Sequence, residues 1–195
     1  MVKLNLKPDE LAKLRELTCS SKDRKYLFLG FSLDLNTAEV GDLLSISDDV
    51  SEAGAEVLTI LLSHYSQSKQ VPATGKLIKF RDLPGGHAYE VAFIHRAIEP
   101  IGEAFGKEPA GLIKSAKVLG GKSLDLGDAS VEIAALEGLP ITYILWASGE
   151  FEASATVLFD ESASSLLPTE DLAVLGELTT YRLKKANGSL NAKRM

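Results

Sequence analysis

Hydrophobic positions recur at two different spacings along this chain, and the switches between them outline its elements. Leu11, Leu14 and Leu17 are spaced as on one helix face, behind a Pro8-Asp9-Glu10 start suited to a first helical turn, and predict a helix from Pro8 to about Thr18. Over residues 26–35 the period falls to two, with Phe31, Leu33 and Leu35 alternating against Ser32 and Asp34, which predicts a strand. Asn36-Thr37 then turns the chain into a short strand near Val40. Over 52–66 the helical period returns. Glu52, Glu56, Thr59 and Ser63 share a narrow polar stripe while Val57, Leu58, Ile60, Leu61, Leu62 and Tyr65 cover the rest, so this helix is expected to be mostly buried.

A strand is predicted over 76–80, followed by the turn Asp82-Leu83-Pro84-Gly85-Gly86. A long helix over about 87–105 carries Val91, Ile94, Ile98, Ile101 and Phe105 as its apolar stripe, with Phe93 and Ala97 at the flank and a kink at Pro100. A short helix over 110–119 stops at Gly120-Gly121. Residues 131–136 and 141–146 read as a hairpin through Gly138-Leu139-Pro140, the second strand apolar enough to be central, with a third strand over 156–159. Thr169 is the expected N-cap of a closing helix that buries Leu172, Leu175, Leu178 and Leu183. Hairpins followed by segregated helices predict an α+β fold: a single domain over 1–185, an antiparallel sheet with helices packed on it, and a flexible C-terminal tail over 186–195.

Composition narrows the function classes. A formal charge of -6 opposes polyanion binding, and the one basic cluster, Lys184 and Lys185 followed by Lys193 and Arg194, lies at a terminus rich in Asn, Gly and Ser that reads as mobile, so nucleic acid is not an expected partner. Cys19 is the only cysteine, which excludes a disulfide within the chain and any metal or iron–sulfur site built from this chain's thiolates alone. The start Met1-Val2-Lys3-Leu4-Asn5-Leu6-Lys7 lacks the apolar run of a signal peptide, and no stretch is long and apolar enough for a membrane span. A cytoplasmic location without membrane contact is the expectation.

The stretch with the most chemical promise runs from Arg81 and Asp82 through Gly85 and Gly86 to His87 and Tyr89. Backbone N–H groups at a helix start can hold a carboxylate or phosphate, and glycines allow close approach, although a plain tight turn uses the same residues. His87 shares a wheel angle with Val91 and Ile94 and is expected to face the core side, kept neutral by the helix N-terminus. In an enzyme it would be the general base, with Asp82 as its orienter and Arg81 or the glycine amides stabilising a developing anion. Trp146 and Glu150, at the end of the central strand, could join the same cleft. His64 reads as a core histidine, and His95 as an exposed partner of Glu99 one turn on. The three histidines give no metal signature, no residue pattern implies a cofactor, and Cys19 would need an activating histidine to serve as a nucleophile.

The segments Thr74-Gly75-Lys76-Leu77-Ile78-Lys79-Phe80-Arg81-Asp82-Leu83-Pro84-Gly85-Gly86, Arg96-Ala97-Ile98-Glu99-Pro100, Glu150-Phe151 through Leu158-Phe159-Asp160, and Leu167-Pro168-Thr169-Glu170-Asp171-Leu172 together resemble the domain of unknown function 3786 family of bacteria and archaea, seen chiefly in anaerobes. Some of its members are labelled iron–sulfur proteins because a cysteine-rich segment precedes the domain. With Cys19 alone, this sequence has no residues to which that label transfers. The resemblance implies a setting in anaerobic one-carbon or redox metabolism, near corrinoid or redox protein partners, and supplies no catalytic residues. The expectation is a binding or accessory domain holding a small anionic ligand or cofactor at Arg81, Asp82, Gly85, Gly86, His87, Tyr89, Trp146 and Glu150. The alternatives are an enzyme using His87, or a protein-interaction module marked by an exposed apolar patch.

Overall fold

The stretch 26–35, whose alternation predicts one strand, folds as a tight hairpin in the computed structural model, which describes residues 1–18, 24–45, 47 and 49–192. Strands β2 (Lys25–Phe28) and β3 (Phe31–Asp34) pair antiparallel with Phe28 opposite Phe31. Between them Leu29 and Gly30 both have positive φ, 47° and 73°. Two such residues in a row form the turn whose twist matches that of its strands. Leucine rarely takes this conformation, so the alternating pattern conceals the turn. With β1 (Val2–Lys3) and β4 (Glu39–Asp42) the hairpin makes a sheet ordered β1-β4-β3-β2. Helices α1 (Pro8–Leu17) and α2 (Glu52–Ser66) pack together beside it.

A second antiparallel sheet contains β5 (Leu77–Lys79), β6 (Lys122–Leu124), β7 (Ala129–Leu136), β8 (Leu139–Trp146) and β9 (Ser154–Asp160), ordered β5-β9-β8-β7-β6. The α+β class therefore holds with two sheets where one was expected, and β8 is central as its apolar run implies. Val131, Ile133, Tyr143 and Phe159 line one buried face, against which the helices lie. Asp160 closes the bottom edge: its carboxylate accepts from the Thr74, Gly75 and Ser162 amides and from the Thr74 and Ser162 hydroxyls.

The expected helix over 87–105 is three pieces: α3 (Gly86–Phe93), a π turn (Ile94–Ile98) and α4 (Glu99–Phe105). Pro100 has no N–H for the Arg96 carbonyl and its ring would strike that oxygen, so the Glu99 N–H reaches back five residues to Ile94 instead. The wider turn rotates the later residues. The buried line becomes Phe93, Ala97, Ile101 and Phe105, while Val91, expected in the core stripe, is exposed. After α5 (Pro109–Val118) and α6 (Ala163–Leu166), helix α7 (Thr169–Ala192) runs through the middle of the molecule. Thr169, expected to cap its own helix, donates its hydroxyl to the Pro84 carbonyl at 2.7 Å. Helix α7 also continues past residue 185 with Ala186 buried, so the described part of the expected tail is helical. Cys19, Lys193 and Arg194 lie outside the described residues.

Helix α7 holds both sheets. Towards β8, the Tyr143 hydroxyl donates to the Gly176 carbonyl at 3.2 Å, and the Thr180 hydroxyl donates to Ala97 O at 2.8 Å. Towards the first sheet, Arg182, only 1% exposed, donates to Leu29 O at 2.7 Å, to Gly30 O at 3.0 Å, and to both Asp42 carboxylate oxygens at 2.6 and 2.8 Å. Its guanidinium also lies 3.9 Å above the Phe31 ring. A Cβ at position 30 would sit 2.9 Å from Arg182 Nη2, so glycine is needed for space as well as for its φ.

Two predictions follow from these anchors. Arg182→Met keeps a long stem but leaves the buried Asp42 carboxylate with Lys185 as its only cationic partner among the described residues, and is expected to lower unfolding free energy by about 3–5 kcal/mol, read from urea denaturation. Burial would raise the Asp42 and Asp160 pKa values, but hydrogen bonds outweigh it, from Arg182 and Lys185 in the first case and from Ser162 and Thr74 in the second, and hold each at about 2. Carboxylates held lower in the folded than in the unfolded chain stabilise it fully above the ordinary value of 3.8, and that contribution disappears as pH falls through about 2. A pH titration of the urea midpoint should therefore fall between these limits, by on the order of 2 kcal/mol per carboxylate.

Candidate functional site

At the glycine turn, the conformation is set by packing. Gly85 takes φ 76°, a left-handed value, and a Cβ on Gly86 would lie 2.0 Å from the Phe80 carbonyl oxygen. Both glycines are thus required by the backbone path itself. The Gly86 N–H already donates to Leu83 O at 2.9 Å and the Ala88 N–H to Gly85 O at 3.2 Å, which removes donors from the expected cradle. Asp82 does not orient His87: its carboxylate accepts from the Lys79 amide at 3.3 Å. Glu90 takes that place instead, 3.3 Å from Arg81 Nη1 and 3.6 Å from His87 Nδ1. His87, expected on the core side, has 80% of its side chain exposed, and Tyr89 is exposed beside it.

Trp146 and Glu150 do not join them. Both are exposed, and their loop is tied to the far end of α4, where Ser148 N–H donates to Gly106 O at 3.0 Å. Residues 86–105 form one helical rod about 30 Å long at 1.5 Å per residue, so the two halves of the expected site stand at its opposite ends. His64 also differs from expectation: it is half-exposed, with Nδ1 2.6 Å from Asp171 Oδ2. His95 pairs with Glu99 at 2.6 Å on the surface, as its spacing implied. Among the described residues, no three His, Cys, Asp or Glu side chains gather to hold a metal, and no helix is long and apolar enough to cross a membrane.

The cavity with the best-formed chemistry lies elsewhere, between α2 and α7 over the first sheet. It encloses about 600 Å³. Its walls are the facing stripes of two helices, Gly54, Val57 and Leu58 on α2 and Val174, Leu178 and Tyr181 on α7, spaced three and four apart as neighbours on one helix face must be. Phe31, Asp42, Arg182 and Lys185 form its base. Lys185 Nζ donates to Asp42 Oδ2 at 2.6 Å, and the Leu44 amide donates to Asp42 Oδ1 at 2.9 Å. A guanidinium has five N–H donors. Arg182 directs one through Nε to Leu29, two through Nη2 to Gly30 and Asp42, and one through Nη1 to Asp42. The second Nη1 hydrogen has no partner among the described residues, and Lys185 has two ammonium hydrogens beyond its bond to Asp42.

A model of the family described as domain of unknown function (DUF3786) matches residues 8–182. The chain belongs to that family. No curated protein and no solved structure matches it. The DUF3786 match spans α1 to Arg182 and so includes every wall of the trough except Lys185.

Two signals for this site were present in the sequence. Helix α2 has more apolar residues than its buried set of Ala55, Leu58, Leu61, Leu62 and Tyr65 uses, so it is less buried than expected: Val57 stays exposed in the trough wall and Ile60 stays exposed outside it. Arg182 falls seven residues after Leu175 and beside Leu183, which places a cation on the buried side of an otherwise apolar stripe. For the glycine turn, Gly86→Ala should destabilise by about 1–3 kcal/mol through overpacking, Gly85→Ala by about 1–2 kcal/mol through its backbone, and His87→Ala by no more than about 0.5 kcal/mol, all read from thermal or urea unfolding.

Proposed function

We propose that this DUF3786 domain binds a small organic anion in the trough between α2 and α7, acting as a binding or accessory domain. The observation that carries the reading is the buried Arg182 at the base of an otherwise largely apolar cavity, with a donor hydrogen left over after its contacts with the described residues. A buried unpaired donor is costly, and an acceptor brought by a ligand removes that cost. The volume of about 600 Å³ falls in the range of roughly 300–1,000 Å³ usual for small-molecule sites, where apolar walls and a few fixed polar groups share the work of binding. The glycine turn is not part of this site.

The test is the fluorescence of anilinonaphthalene sulfonate, an apolar monoanion, titrated against the folded protein. Saturable enhancement is expected for the native chain, with at least about a tenfold loss of affinity for Val174→Trp, whose side chain enters the trough from an exposed rim position. Absence of saturable binding to the native protein, or binding untouched by Val174→Trp, would remove the trough as a ligand site.

A further inference from the structure

The charges and walls of the trough narrow the class of anion. At its base, Arg182 and Lys185 contribute two positive charges and Asp42 one negative, a net charge of one positive unit. Burial makes this count matter, because side-chain exposure is 1% for Arg182 and 5% for Asp42 and screening by water is weak there. A monoanion neutralises the base. A dianion leaves one negative charge over at this buried base, whereas Asp49 and Glu177, which also border the cavity, are exposed and paired with the Met1 ammonium and with Arg96. The donors left over, one on Arg182 and two on Lys185, are enough for the two oxygens of a single carboxylate.

The rest of the lining speaks against sugars and nucleotides. Val50, Val57, Leu58, Val174 and Leu178 offer no hydrogen bonds, the Ser51 hydroxyl oxygen already accepts from the Gly54 amide at 3.1 Å as the helix cap, and the other polar groups besides the base, Asp49, Glu177 and Tyr181, are exposed to solvent. Apart from Gly54 and the rim residue Tyr181, the facing walls are branched aliphatic side chains, which suit a flexible alkyl chain. The cations are at the buried base, whereas Val57, Val174 and Tyr181 are exposed at the rim, so a ligand must enter head first with its tail towards solvent.

On the reading of the trough as a ligand site, we propose that its ligand is an aliphatic monocarboxylate, bound with the carboxylate between Arg182 and Lys185 and the alkyl chain between α2 and α7. Affinity should rise by about fourfold for each methylene buried between the helices and level off once the chain passes the rim.

Titration calorimetry with butyrate, hexanoate, octanoate, octanol and octyl phosphate tests the class. The expected result is octanoate at least about tenfold tighter than both octanol and octyl phosphate, with affinity climbing from butyrate to octanoate. Lys185→Gln leaves the neutral Asp42–Arg182 pair in place and should erase the preference of octanoate over octanol while leaving octanol within about twofold. Octanol equal to octanoate, octyl phosphate tighter than octanoate, or a preference untouched by Lys185→Gln overturns the carboxylate assignment. If Lys185→Gln does not fold, the ranking of ligands by the native protein decides alone. Failure of all five ligands while anilinonaphthalene sulfonate still binds in a Val174-sensitive manner overturns the ligand class and leaves the site standing; failure of the dye as well removes both.

Discussion

One guanidinium decides how the two halves of this molecule meet. Arg182 extends from α7, which is tied to the second sheet by the Tyr143 hydroxyl on the Gly176 carbonyl, and it fastens the first sheet by two carbonyls and a carboxylate. The arrangement is self-consistent only when all its members are present. The Leu29-Gly30 turn needs positive φ at a leucine, which costs about 1–2 kcal/mol, and the guanidinium on its carbonyls helps hold that conformation. Asp42 is buried because two cations neutralise it, and Arg182 is buried because the carboxylate and carbonyls replace its water. Removing any one member strands another in a medium that solvates it poorly.

The elements were far more legible than their assembly. Local period and punctuation suffice for α1, α2, α5, α7 and the β7–β8 hairpin, because in each the apolar spacing repeats over several turns or pairs. The errors share a cause. At 26–35 a residue of the wrong type occupies a turn, and at 94–98 a proline changes the helical repeat, so a pattern counted at constant period drifts from the true faces. Counted at constant period, His87 and Val91 fall on the core side through that drift. Pairing between distant segments, such as Asp42 with Arg182, has no local signature and becomes visible only in three dimensions.

The candidate site shows the same division. Glycine-rich turns attract attention because they share residues with phosphate loops, yet here Gly86 serves the contact of α3 with the Phe80 carbonyl. The trough is marked by surplus instead: apolar side chains on α2 that the core does not use, and an arginine with more donors than its described neighbours accept. Neither is a motif. Both are departures from what a folded chain needs for itself, which is why they point outward.

The order in which the chain is made gives the Leu29-Gly30 turn a further significance. Its stabilising partner lies 153 residues later, on α7. During synthesis the first sheet emerges long before the helix that completes it, so the hairpin must wait in a looser form, its carbonyls hydrated and Leu29 free to leave the left-handed region. This part of the fold is sealed from α7 backwards, and a ribosome that stalls before that helix emerges leaves the first sheet unlocked.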